Sequence, residues 1–136
     1  VSELEIDLTA LEYTELRTLA RESQGKGPGP ESSILKIKGT EIQQRITELV
    51  LEAAGHYGAP YFRGFPTDGD NAHPIGPDFA HRAAPTYFNV RKTSIYGGSN
   101  EIQRNIIGER VLGLPGDVRV DREMPWSKVP PSPRLG

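Results

Sequence analysis

The sequence predicts an all-α fold, an antiparallel helical bundle, and three observations predict it. Apolar residues recur at helical spacing in separate stretches, glycine and proline fall between those stretches, and no stretch reads as a strand. The 136 residues suit one domain with a modest core.

Over residues 2–23, Leu4, Leu8, Leu11, Leu16 and Leu19 follow one another at intervals of four, three, five and three, close to the helical period. Glu12 and Glu15 intrude on that side, so the stripe is imperfect. The pattern starts at the first residues with no turn ahead of it, which is the expectation for a piece cut from a longer chain. Gly25-Lys26-Gly27-Pro28-Gly29-Pro30 then ends the helix, because prolines lack a donor and glycines lose order.

A second helix is predicted over residues 31–54, with Leu35, Ile42, Ile46, Leu49, Val50 and Ala53 as its apolar face. Gly39 interrupts it at a cost of about 1 kcal/mol relative to alanine. It is either a tolerated defect or kink, or the point where another helix comes close. Residues 55–77 form a long loop rich in Gly, Pro, Asp and Asn, a type of connection that is uncommon beyond roughly 15 residues. A shorter helix follows from 77 or 78 toward 92, and Pro85 is expected to break or kink it. The last helix runs over 100–112. Ser99 or Asn100 is its N-cap, Ile102, Ile106, Ile107 and Val111 its buried face, and Gly113 with Pro115 its stop. A helical domain over 1–115 and a proline-rich tail over 116–136 with little structure of its own complete the reading.

Composition narrows the function. Net charge is −2 and the basic residues are scattered, so no stripe suggests nucleic acid or an anionic membrane. Charges in every turn of the opening segment exclude a signal peptide or a membrane span there. The absence of cysteine excludes disulfides, thiolate metal sites and a cysteine nucleophile, and three dispersed histidines argue against structural zinc. A reduced, cytoplasmic setting is the expectation.

The informative stretch is Tyr96-Gly97-Gly98-Ser99-Asn100-Glu101. Paired glycines before a helix N-terminus let the backbone approach a ligand, and the free N–H groups there bind anionic or carbonyl oxygens. The plainer reading is an ordinary glycine turn with a capping residue. Elsewhere, Glu3 and Asp7 fall on the polar side of the first helix and are expected to be solvated. Glu5, Glu12 and Glu15 lie nearer the leucines, where solvation competes with an ion pair to another helix. Arg104 and Arg110 are expected to pair with a neighbouring helix or subunit. His56, His73 and His81 are too scattered for a relay, and Trp126 either anchors the tail or touches nothing.

The longer string Asn89-Val90-Arg91-Lys92-Thr93-Ser94-Ile95-Tyr96-Gly97-Gly98-Ser99-Asn100-Glu101-Ile102-Gln103-Arg104-Asn105-Ile106-Ile107, with Val111-Leu112-Gly113-Leu114-Pro115, resembles the end of acyl-CoA dehydrogenases. Pro30-Glu31-Ser32-Ser33-Ile34-Leu35-Lys36 and Gly39-Thr40-Glu41 resemble the second helix of the same domain in bacterial members. The resemblance implies an FAD-dependent α,β-dehydrogenation of an acyl-CoA thioester to a trans-2-enoyl-CoA. It also implies a homo- or hetero-oligomer, electron-transfer flavoprotein as acceptor, and self-association through the first two helices.

Carried over by position, Gly97 falls where medium-chain members hold the catalytic glutamate, so it cannot be the base. Its N–H could still polarise the thioester carbonyl. Gly98, Ser99 and Glu101 fall on flavin-contacting positions, and Tyr96 either lines the acyl pocket or simply packs. Glu52-Ala53-Ala54-Gly55-His56-Tyr57-Gly58 sits where the family contacts a neighbouring subunit's adenine, and only the two glycines match. No catalytic base and no metal ligand are assigned in this chain. The base would lie on an earlier helix or in a partner subunit. Two readings stay open: an enzyme fragment inactive alone, or a non-catalytic partner or pseudo-subunit.

Overall fold

A computed structural model describes residues 1–27, 29–30, 32–60, 75–116 and 125–129, with Trp126 described by its backbone alone. It contains helices α1 (Ser2–Glu22), α2 (Ser32–Ala54), α3 (Ala80–Val90) and α4 (Asn100–Arg110). Single 3-10 turns cover Gly55–Gly58, Arg91–Ser94 and Trp126–Lys128. No strand occurs among the described residues, and the fold is the all-α bundle that the patterning predicts. Most of the long loop, His73, the Trp126 side chain and most of the tail lie outside the described residues.

α2 is the central helix, and α1, α3 and α4 all pack against it. A Cβ added to Gly39 would meet Leu11, while Leu4 shares a groove with Ile42 and Leu49, so α1 runs antiparallel to α2. At the other end Ala80 and Ala83 close on Ala54 and Leu51, and Arg91 reaches Gln44, so α3 is antiparallel as well. Small residues at that crossing let two backbones approach closely.

α1 stops where Gly25 takes a left-handed φ of 76° and Lys26 N–H bonds back to the Arg21 carbonyl at 3.2 Å. Gly39 leaves α2 unbroken, and Leu11 Cδ2 would lie 3.9 Å from its added Cβ, an ordinary contact. α3 begins at Ala80, later than predicted, and continues through Pro85. Proline there removes one intrahelical bond, and the packing of Ala80 and Ala83 against α2 holds the helix across the gap.

The buried faces differ from the apolar stripes. Leu8, Leu16, Leu19, Ile46, Val50, Ile102 and Val111 are exposed, whereas Thr18, Thr47, Thr93 and Asn100 are buried. The reason is the partner available to each face: within this chain α2 meets its neighbours through polar side chains as much as apolar ones. No helix among the described residues is long and apolar enough to cross a membrane.

Candidate functional site

Residues 95–99 join the 3-10 turn Arg91–Ser94 to α4. Gly97 and Gly98 both take left-handed φ angles, 69° and 86°, which glycine adopts at little steric cost and other residues do not. A Cβ on Gly97 would meet nothing within 4 Å, so its backbone is open to approach. A Cβ on Gly98 would stand 2.6 Å from Gln103 Nε2, and that same amide donates to the Gly97 carbonyl at 3.4 Å.

Ser99 is the N-cap, extended at φ −60° and ψ 156°, and its hydroxyl accepts from Ile102 N–H at 3.4 Å. Glu101 is exposed. Its own backbone N–H, then the Ser99 hydroxyl, hold its carboxyl below the ordinary glutamate value, with smaller help from Arg104 and Lys36.

Beside the turn lies an open groove of about 330 Å³, with Leu35, Gly39 and Tyr96 on its apolar side and Lys36, Thr40 and Gln43 among its polar lining. Gly97 borders it, and no carboxylate lines it among the described residues. Of the predicted site residues, Tyr96 and Gly97 line this groove, Gly98 and Ser99 follow them in the turn and cap, and Glu101 is exposed. A second groove of about 270 Å³ between α1 and α2 carries Glu3, Asp7, Lys38 and Glu41 and includes no residue of the turn. Glu3 and Asp7 are exposed there, facing α2 rather than away from it.

A polar ladder on α2 went unread in the sequence. Lys36 Nζ donates to Asn100 Oδ1 at 2.7 Å and to the Ser94 carbonyl at 3.3 Å, and Thr40 meets Asn100 at 3.3 Å. Gln44 Nε2 donates to the Arg91 carbonyl at 3.2 Å and to Thr93 at 3.3 Å. Arg91 returns bonds to the Gln44 carbonyl at 2.8 Å and to Thr47 at 3.1 Å. These bonds dock the segment ahead of α4 onto α2, and they satisfy groups that burial would otherwise penalise. The available signal was the spacing of Lys36, Thr40, Gln44 and Thr47 on one side of a helix.

Further out, Arg104 pairs with Glu41 of α2 at 3.3 Å, the inter-helix pair expected of it. Glu52 is held by Arg45 at 3.4 Å and His56 is exposed. A Cβ on Gly58 would stand 2.8 Å from Leu51 Cδ1 and 3.3 Å from Ala54 Cβ, against the end of α2. Among the described residues no group of three or more potential ligands gathers to hold a metal.

Residues 1–112 match the family profile described as Acyl-CoA dehydrogenase, C-terminal domain. The chain belongs to the acyl-CoA dehydrogenase family. Among its relatives, Acyl-CoA dehydrogenase IpdE1 of Mycolicibacterium smegmatis (strain ATCC 700084 / mc(2)155) is 70% identical over 33 residues, 24% of this chain and 8% of that protein. Acyl-CoA dehydrogenase FadE34 of Mycobacterium tuberculosis (strain ATCC 25618 / H37Rv) is 30% identical over 91 residues, 67% of this chain and 10% of that protein. The chain spans about a tenth of the length of these acyl-CoA dehydrogenases. No solved structure matches it.

Proposed function

We propose that this chain is the C-terminal helical domain of an FAD-dependent acyl-CoA dehydrogenase, contributing flavin contacts and subunit packing rather than a complete active site. The observation that carries the reading is the pair of left-handed glycines leading into the α4 N-terminus, open to a ligand at the rim of a groove. Backbone N–H groups in that setting suit a carbonyl oxygen or an anionic group.

The reaction proposed removes a proton α to the thioester carbonyl and a hydride from the β-carbon, leaving a trans-2-enoyl-CoA. The chemistry FAD supplies when bound is acceptance of that hydride. Gly97 N–H would donate to the thioester oxygen and stabilise the charge that builds there as the proton leaves. Gly98 lets a planar ring system near the backbone, Ser99 and Glu101 offer polar contacts to it, and Tyr96 flanks the acyl chain. The base comes from outside these residues, because Gly97 has no side chain and no carboxylate lines the groove among the described residues. Electron-transfer flavoprotein is the acceptor and the cytoplasm the location that go with this reading.

The same missing carboxylate favours a second reading, a non-catalytic partner or pseudo-subunit that assembles with a catalytic dehydrogenase chain. One experiment separates the two. The protein is purified natively from the cells that make it, its flavin spectrum is recorded, and saturated acyl-CoA thioesters are added without oxygen. Bleaching of bound flavin with formation of 2-enoyl-CoA is expected. Flavin that never bleaches with any thioester favours the partner, and no flavin in any assembly containing this chain sinks the enzyme reading.

A further inference from the structure

Locally, the turn that presents Gly97 is bonded by the Gln103 amide to the Gly97 carbonyl at 3.4 Å, and by the Ile95 and Tyr96 N–H groups to the Lys92 carbonyl at 2.9 and 3.3 Å. Ile95 and Tyr96 are largely exposed, and a Cβ on Gly97 would touch nothing. Glycine populates both signs of φ, so the direction of two successive left-handed glycines depends on what anchors the chain on either side of them.

The anchor that joins both flanks comes from α2. One ammonium, Lys36 Nζ, donates to the Ser94 carbonyl at 3.3 Å and to Asn100 Oδ1 at 2.7 Å. Ser94 ends the 3-10 turn before the loop and Asn100 begins α4, so a single group spans both ends of residues 95–99. Asn100 is buried, and the Thr40 hydroxyl, one turn along α2 from Lys36, meets its side chain at 3.3 Å and fixes the amide. Charge-assisted bonds of this kind are the stronger class of hydrogen bond.

We propose that Lys36, acting through Asn100, is the positioning residue that sets the direction of the Gly97 N–H, and with it where an acyl thioester sits in the adjoining groove. The proposal rests on the reading of Gly97 N–H as the donor to the thioester carbonyl. Lys36 lines the groove, and its ammonium acts on the turn through its two bonds to Ser94 and Asn100.

The test uses the flavin-loaded full-length enzyme that carries this chain, with Lys36→Met, Asn100→Ala and the double variant. Lys36→Gln, which keeps one donor group, replaces Lys36→Met if that variant does not fold. Hydrogen exchange read by mass spectrometry on peptides covering residues 94–102 is expected to quicken at least about tenfold in each variant, with α1 peptides unchanged. The thioester used is whichever one, from butanoyl- to palmitoyl-CoA, the parent turns over fastest. With it, kcat is expected to fall roughly tenfold while KM stays within about twofold. The double variant is expected to lose no more than the more damaging single one, since both act on the same tether. Lys36→Arg, which can reach both acceptors, is expected to restore part of the exchange protection and of kcat. Unchanged exchange at residues 94–102 overturns the tether itself. Faster exchange with unaltered kcat overturns the role given to Gly97, and additive losses overturn the route through Asn100.

Discussion

The guanidinium of Arg91 lies 4.3 Å over the ring of Tyr87, one turn earlier on α3, while its nitrogens bond α2. It also donates to the Tyr87 carbonyl at 3.2 Å, so one side chain caps the end of α3 and joins that helix to Gln44 and Thr47. Bonds from charged groups contribute about 1.5–3 kcal/mol, and a cation over an aromatic ring adds about 0.5–1 kcal/mol at exposed sites. Arg91→Leu is therefore expected to cost roughly 2–3 kcal/mol in urea unfolding. Arg91→Lys should recover less than half of that, because an ammonium lacks the planar fork that reaches all these acceptors. Full recovery by lysine would show that charge alone, and not the fork, joins the helices.

Gly39 carries an opposite expectation. It lies inside α2 with no left-handed angle, and an added Cβ would meet only Leu11 Cδ2 at 3.9 Å. Alanine there gains helix propensity and restricts the unfolded chain, so Gly39→Ala should stabilise by about 0.5–1 kcal/mol. A thermal melt that moves downward would mean that the helices need a closer approach at Gly39 than 3.9 Å allows.

Why were the helices legible when their buried faces were not? Boundaries follow from local chemistry: Gly25 ends α1, Ser99 caps α4, and glycine and proline punctuate the rest. A periodic apolar stripe says that a face is meant to be covered, and says nothing of which surface covers it. Leu16 and Leu19 are exposed while Thr18 between them is buried against the rest of the chain. The α2 ladder was hidden for a related reason. Lys36, Thr40 and Gln44 are residues that usually face water, and only the placement of Asn100, Arg91 and Thr93 turns them inward. At the candidate site, the glycine pair and the cap were readable, but the tether from Lys36 was not, since its partners lie some sixty positions away.

The Ser99 cap ties stability to pH through Glu101. Loss of the cap in Ser99→Ala should cost about 1 kcal/mol, whereas Ser99→Asp keeps an acceptor and should be nearly neutral. Glu101 has a folded-state pKa below its unfolded one, from its own backbone N–H and from Ser99. Its contribution is therefore present above the unfolded value and is lost as pH falls through the folded value. Carbon-detected NMR of the Glu101 carboxyl should give a midpoint below the ordinary glutamate value, and Ser99→Ala should raise it. A midpoint indifferent to Ser99→Ala would leave the backbone N–H, with Arg104 and Lys36, as the cause.

The exposed leucines of α1 supply the last expectation. Leu8, Leu16 and Leu19 are each about half exposed, as are Ile46 and Val50 of α2 to a lesser degree. Burying one leucine side chain is worth about 1.5–3 kcal/mol, so two of them outweigh much of the entropy a contact must overcome. The chain is therefore expected to sediment at micromolar concentration as a species heavier than its 15.0 kDa mass. Leu16→Glu with Leu19→Glu should raise the dissociation constant at least about tenfold, since roughly 1.4 kcal/mol is enough for that factor. Leu16 and Leu19 are each about half exposed, so the double variant should keep its helical circular dichroism. Loss of helicity would mean that α1 depends on the contact to hold its fold. A parent chain that sediments only as monomer would mean that water, and not a second copy, covers these leucines.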